Sequence, residues 1–411
     1  MIQAQKGTKD ILIDEISTWQ NMEEKAKDIF SKANFKEIRT PIFEATELFA
    51  RGVGDSTDIV NKEMYTFEKS ERSLTLRPEN TAGVVRAFIE HGYSRLPQPV
   101  KLWYKGPMFR YERPQAGRQR QFHQVGVEMF GCAEPSADAE VINLAVKYLN
   151  ELGLNDLEIE INSLGCPECR KNYRNAIKEV LKPYLADLCE DCNFRYEKNP
   201  LRILDCKVDS CKKIFEKEEV QKVILGDFIC PDCKEHFDKV QEYLNALNIP
   251  FKTNKLLVRG LDYYNRTVFE IKSNNLGSQN AVCGGGRYDS LVETLGGNPT
   301  PAVGWAMGME RLYSLIEKTS DKLADVFVIA EDTTEAFKVI EELREKGFVA
   351  EFDYSNKKFK KQLDKAAKSA KYALILMEDE IKSNTVTIKN LDTSNQVNVS
   401  RKDFLSKLSD I

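Results

Sequence analysis

Four arginines, Arg110, Arg113, Arg118 and Arg120, fall within the segment FRYERPQAGRQRQFHQ (109–124) beside a single acidic residue, Glu112. Guanidinium forks make paired, charge-assisted bonds to phosphate oxygens, so this composition suits a polyphosphate or a nucleic-acid end. Pro114 and Gly117 interrupt the strand pattern and predict a loop that closes on a ligand; a solvated charged turn has the same composition. Three other segments carry complementary chemistry. RPENT sets Arg77, Glu79 and Thr81 at a strand-to-helix junction with free backbone N–H groups, a pattern it shares with an ordinary helix cap. LVRGLDYYNR places Arg259 beside Gly260, Asp262, Tyr263 and Tyr264, which equally suits a structural turn. GWAMGMERL puts Arg311 in the first turn of a helix, where the dipole disfavours a cation by roughly half a kcal/mol unless an anion sits there. CGGGRYD lacks the Gly-Lys-Ser/Thr ending of a P-loop and the setting of a dinucleotide fingerprint, and reads as a flexible wall.

These residues need elements to hold them. KLWYKG and VGVEMFG, on either side of the basic segment, read as strands. With the two-residue period of a strand, Phe122, Gln124, Gly126 and Glu128 share one face and Val125, Val127 and Met129 the other. The second face is core; the first offers an amide and a carboxylate separated by a residue without a side chain. Helical spacing spans residues 16–35, 78–92 and 134–153, the last opened by Pro and closed by Gly, and LEIEINS alternates as a half-buried strand. The sequence therefore predicts an α+β domain built on an antiparallel sheet flanked by helices over residues 1–320. Residues 165–251, which hold eight of the ten cysteines, interrupt it as a mainly helical insertion. After a polar linker, residues 325–411 alternate strand and helix as a small α/β domain. Seven lysines between Lys357 and Lys371, against one aspartate, give that domain a local cationic helix.

A chain of 411 residues exceeds one simple core, and two or three domains are expected. The net charge of -4 gives no global polyanion footprint, so any such site must be a local patch. No apolar run reaches about 20 residues and none resembles a signal-peptide core, which predicts a cytoplasmic protein without a membrane span. Reduced thiols or metal ligands are then expected rather than disulfides. CPEC, CEDC and CPDC, with Cys206 and Cys211, suffice for one or two tetrahedral zinc sites. Cys166 and Cys169 with Cys230 and Cys233 are the favoured set, since they would staple the two ends of the insertion.

Taken in order, RTPIFE, the basic segment, RGLDYY, CGGGRYD and GWAMGMERL resemble the motifs of the histidyl-tRNA synthetase family, class II aminoacyl-tRNA synthetases. The resemblance runs from KGTKD to the last domain, which resembles the family's anticodon-binding domain. It implies a homodimer that activates L-histidine with ATP and Mg²⁺ and passes it to tRNA(His). It also implies roles: Arg110 and Arg259 catalytic on the α-phosphate; Arg110, Glu112 and Arg311 on ATP; Glu79, Thr81, Arg110, Gln124, Glu128, Arg259, Tyr263 and Tyr264 on histidine. Arg113, Gln115 and Arg120 match the loop that meets the tRNA acceptor end. A regulatory subunit of histidine biosynthesis that shares the fold without catalysing is the alternative; such paralogues generally lose RGLDYY and the last domain.

Overall fold

The computed structural model describes residues 1–54, 57–113, 117–273, 280–319, 324–355 and 357–409. The chain divides into two compact units, Met1–Thr319 and Ser320–Ile411.

The first unit is built on an eight-stranded sheet. Its strands are β1 (Lys36–Glu37), β2 (Val100–Phe109), β3 (Gln121–Phe130), β4 (Leu157–Ser163), β5 (Lys252–Thr253), β6 (Asn265–Ser273), β7 (Ala281–Arg287) and β8 (Ala302–Gly308), in the order β1-β2-β3-β8-β7-β6-β4-β5. The six inner strands are antiparallel throughout, and only the two-residue edge strands β1 and β5 pair in parallel. A long connection joins the two strands of each parallel pair, the condition such a pairing requires. Helices α1 (Ile13–Lys32) and α3 (Pro135–Glu151) cover one face, and α2 (Thr81–Glu90) lies on the other.

Burial follows from the patterns. In α1, Trp19, Met22, Ala26 and Phe30 recur at helical spacing and pack with Trp103, Tyr148 and Trp305. Val125, Val127 and Met129 join this core, as the two-residue period requires. The opposite face of β3 is buried too, under a second cluster that contains Tyr104, Tyr263, Tyr264 and Tyr288. CGGGRYD is a wall, as Cys283 and Gly284 line a cavity, but not a flexible one. Its first five residues lie in β7, an inner strand bonded on both sides, whose Arg287 is 0% exposed and donates from Nε to Asp138 Oδ1 at 3.0 Å. His236 Nε2 meets the same carboxylate at 2.5 Å, so one buried network joins sheet, α3 and the insertion.

The insertion is helical: α4 (Pro167–Leu181), α5 (Glu190–Lys198), α6 (Asp209–Phe215) and α7 (Pro231–Ala246) are its main pieces. It has a separate small core around Ile177, Leu181, Leu201, Ile203 and Ile214.

The second unit holds five strands, β9 (Ala324–Ala330), β10 (Ala350–Phe352), β11 (Ala370–Leu376), β12 (Thr385–Asn390) and β13 (Gln396–Ser400), in the order β10-β9-β11-β12-β13. The first three are mutually parallel and the last two antiparallel. Within it, α9 spans Thr333–Glu345 and α10 Phe359–Ser369. In α10, Gln362 and Ala366 are buried while Lys360, Lys361 and Lys368 are exposed. Among the described residues, no helix is long and apolar enough to cross a membrane.

Candidate active site

β2 and β3 pair in unbroken register from Val100↔Phe130 to Phe109↔Gln121, so the basic segment is a loop carried on a rigid hairpin. Gln115 lies outside the described residues. Across the sheet, Gly126 pairs with Ala306, Ala306 with Gly284, and Gly284 with Glu270. Ala306 and Gly284 keep the sheet low at its centre, and a cavity of about 390 Å³ opens there.

Arg110, Arg259 and Arg311, from three distant segments, all line this cavity. Each is held by the fold. Arg110 donates from Nε to the carbonyl of Pro78 at 2.8 Å and lies 5.3 Å above the Phe122 ring. Arg311 donates to the carbonyl of Ala281 at 2.5 Å. This carbonyl, rather than a protein anion, meets Arg311 at the start of α8 (Met309–Leu315), while burial and then the Arg118 charge push its pKa down. Arg259 donates from Nη1 to Glu270 Oε2 at 2.6 Å, and its Nε is buried without a partner among the described residues. Gly284 makes room for it: a Cβ there would stand 2.8 Å from Nη1 and closer still to Cζ and Nη2. Glu112 also lines the cavity and accepts from Arg118 at 3.0 Å.

Beside the cations lies a polar recess formed by Glu79, Thr81, Gln124, Tyr263 and Tyr264. Glu79 both caps α2 and faces the recess, since its carboxylate accepts the N–H groups of Thr81 at 2.8 Å and Ala82 at 2.9 Å. Burial raises its pKa against those bonds. Gln124 Oε1 is buried with no partner among the described residues, an acceptor left for a ligand N–H. Glu128 stands behind the wall, 1% exposed: it accepts from Thr81 Oγ1 at 2.8 Å and from the Tyr288 hydroxyl. Burial pushes its pKa up to about 8, opposed by the Tyr288 and Thr81 hydroxyls. The space over Gly126 is taken by Tyr104, whose ring would lie 2.5 Å from a Cβ at that position.

Other residues of the motifs lie elsewhere. Arg77 is buried against the carbonyls of Thr40 and Pro107 and does not line the cavity. Arg113 is exposed, and Arg120 stacks on Tyr111 at 3.9 Å, both outside the cavity lining. Sequence reasoning missed Asp58, Glu63, Arg202, Glu270 and Glu310, which line it. Glu310 adjoins Arg311 and accepts the backbone N–H of His123 at 2.9 Å, so its segment did carry a signal. Asp58 and Arg202 had none, because Arg202 reaches the cavity from the insertion to bond Asp58 at 3.3 Å.

The cysteines converge in two tetrads, Cys166, Cys169, Cys230, Cys233 and Cys189, Cys192, Cys206, Cys211, with the sulfur atoms of each set all within 4.8 Å of one another. The first is the favoured set.

Comparison with known proteins agrees over the whole chain. The family model for histidyl-tRNA synthetase matches residues 7–169 and 202–312, and that for the anticodon binding domain matches 324–411. A histidine–tRNA ligase of Acetivibrio thermocellus is 48% identical over 99% of both chains, and one of Clostridioides difficile 47% over 99% of both. The crystal structure of apo S. aureus histidyl-tRNA synthetase superposes with a TM-score of 0.83 at 35% identity, covering 99% of this chain and 100% of that one. A Bacillus halodurans structure described as an ATP phosphoribosyltransferase regulatory subunit/histidyl-tRNA synthetase is 20% identical, covers 92% of this chain and 98% of that one at a TM-score of 0.67, and shares the fold.

Proposed function

This chain belongs to the histidyl-tRNA synthetase family and is a histidine–tRNA ligase, an ATP-dependent aminoacyl-tRNA ligase, and from that premise we propose how its residues divide the work. The observation that carries the assignment is the meeting of Arg110, Arg259 and Arg311 in one cavity, beside a recess of the right polarity for an amino acid.

In the first step a carboxylate oxygen of histidine attacks the α-phosphorus of ATP. The bond to the bridging oxygen breaks and pyrophosphate leaves. Two anions must approach, so fixed cations rather than a general base lower the barrier; the carboxylate is already ionised. Arg110 and Arg259 stabilise the charge that gathers on the α-phosphate, and Arg311 holds the γ end. Mg²⁺ bound with ATP would neutralise charge on the other phosphates, and Glu112, which lines the cavity, would be among the carboxylates that hold it. Glu79, Gln124, Tyr263 and Tyr264 hold the ammonium and imidazole of histidine, with Thr81 kept in place by Glu128. A site that bonds both ring nitrogens leaves its own groups unpaired around any other side chain, which supplies discrimination of about 10⁴ without editing. In the second step the ribose hydroxyl oxygen at the tRNA end attacks the carbonyl carbon and AMP leaves.

Residues 1–320, interrupted at 165–251, are the catalytic part, and 325–411 bind the anticodon. Arg113, Gln115 and Arg120 stand on the loop that meets the acceptor end of tRNA(His). The family resemblance supports a cytoplasmic homodimer. Histidine-dependent exchange of pyrophosphate into ATP is the test: turnover is expected, and binding of both ligands without exchange favours the regulatory reading. Arg259→Ala should lower the exchange rate about 100-fold or more with a much smaller rise in histidine KM; an equal loss in both contradicts its role.

A further inference from the structure

The two cysteine tetrads are built for single ions. A tetrahedral Zn²⁺ with Zn–S bonds near 2.3 Å sets its sulfurs roughly 3.8 Å apart. Here Cys166 Sγ and Cys169 Sγ are 3.5 Å apart, Cys189 Sγ and Cys206 Sγ are 3.8 Å apart, and all eight thiols are free of disulfides. A polynuclear iron–sulfur cluster places its own irons and sulfides between the cysteines and needs a wider set. The surroundings favour thiolates. Cys166 and Cys230 are the N-caps of α4 and α7, and their N–H groups donate crosswise to Cys233 Sγ at 3.2 Å and Cys169 Sγ at 3.1 Å. Two helix N-termini thus face a centre whose four thiolates and one dication carry net negative charge. In the second tetrad the N–H of Cys189 donates to Cys211 Sγ at 3.3 Å. The helices this tetrad joins, α5 and α6, are nine and seven residues long, too short to be stable in isolation, so they depend on tertiary contacts that a bound ion would reinforce.

What the tetrads hold reaches the active-site cavity. Arg170 follows Cys169 directly and donates to the carbonyl of Tyr264 at 2.7 Å and of Asp262 at 3.3 Å. Asn199, between Cys192 and Cys206, donates to Asp262 Oδ1 at 2.6 Å. Arg202, three residues on, bonds Asp58 at 3.3 Å, and both line the cavity. We propose that the insertion binds two Zn²⁺ ions, one in each tetrathiolate set, and that they position the 259–264 segment for histidine through Arg170 and Asn199. The second half of this proposal rests on the reading of that segment as part of the histidine site.

Elemental analysis of full-length protein, purified under reducing conditions without a metal-affinity tag, should find about two zinc ions per chain. Protein produced with Co²⁺ should show the intense sulfur-to-metal bands of tetrahedral thiolate coordination. Iron in place of zinc, disulfides in the freshly isolated protein, or about one ion per chain or fewer overturns the assignment of two zinc sites, whatever the activity. The variant Cys189→Ser with Cys206→Ser should keep about one zinc and raise histidine KM at least tenfold, with a smaller change for ATP. If that variant folds with one zinc and an unchanged histidine KM, the positioning role is wrong; if it does not fold, Asn199→Ala, which leaves both tetrads whole, is expected to keep two zinc ions and raise histidine KM, and an unchanged KM refutes the role. A wild-type protein with two zinc ions but no histidine-dependent exchange would sink the functional reading while leaving the metal sites standing.

Discussion

Gly284→Ala separates the position of Arg259 from its presence. The new Cβ would stand 2.8 Å from Arg259 Nη1 and nearer to Cζ and Nη2, whereas ordinary contact begins near 3.5 Å, so the guanidinium must retreat by roughly 1–2 Å. The atom displaced is the far end of a flexible side chain, and the fold should absorb the change with a stability shift within about 1 kcal/mol. Catalysis is less tolerant: a misplacement of about 1 Å can cost 100-fold, equivalent to about 2.7 kcal/mol of barrier. Histidine-dependent pyrophosphate exchange, read beside a thermal melt, should therefore show a near-native Tm and a rate down about 100-fold. The same substitution made in an Arg259→Ala background should add little, because there is no guanidinium left to move. Full additivity of the two losses, or wild-type exchange in Gly284→Ala, would refute the argument that Gly284 makes room for Arg259.

Glu128 gives a pH signature. Its carboxyl is held protonated up to about 8 by burial against an ordinary value of 4.5, so between those limits unfolding releases a proton and stability falls as pH rises, by at most about 1.4 kcal/mol per pH unit. Glu128→Gln should flatten the decline of Tm between about pH 5 and 8, and parallel curves for the two proteins would contradict this. In the second unit, Lys360 and Lys361 are exposed on α10. Replacing both with Ala should weaken tRNA binding and reduce its salt dependence by up to roughly 0.7 per lost phosphate contact, with pyrophosphate exchange unchanged; an unaltered salt slope would remove α10 from the tRNA surface.

Much of this architecture was legible because the relevant signals are local. The apolar spacing of Trp19, Met22, Ala26 and Phe30 is visible in twenty residues, and so is the alternation that sends Val125, Val127 and Met129 to the core. The cysteine spacings marked two candidate metal sets, and the joining of Cys166 and Cys169 with Cys230 and Cys233 was legible as well, because those pairs flank the insertion and would staple its ends. CGGGRYD does form a wall of the cavity, but its reading as loose failed, since glycines weaken a strand considered alone while a ladder on both sides holds this one. Glu128 looked like a ligand-facing carboxylate by its period, yet Tyr104 and Tyr288 come from other strands and segments to enclose it. Arg202 and Asp58 were invisible, because a contact between residues 144 positions apart leaves no periodicity.

The sequence alone determined which residue types could meet phosphate, thiophilic metal and an amino acid, and which short elements would carry them, since hydrogen bonding and burial within a strand or helix depend on neighbours a few positions away. Only the tertiary structure decided that Arg110, Arg259 and Arg311 share one cavity, that Glu128 stands behind its wall, and that the insertion reaches that cavity through Arg202. Those facts depend on strand order and register, which are set by the packing of distant segments against a common core.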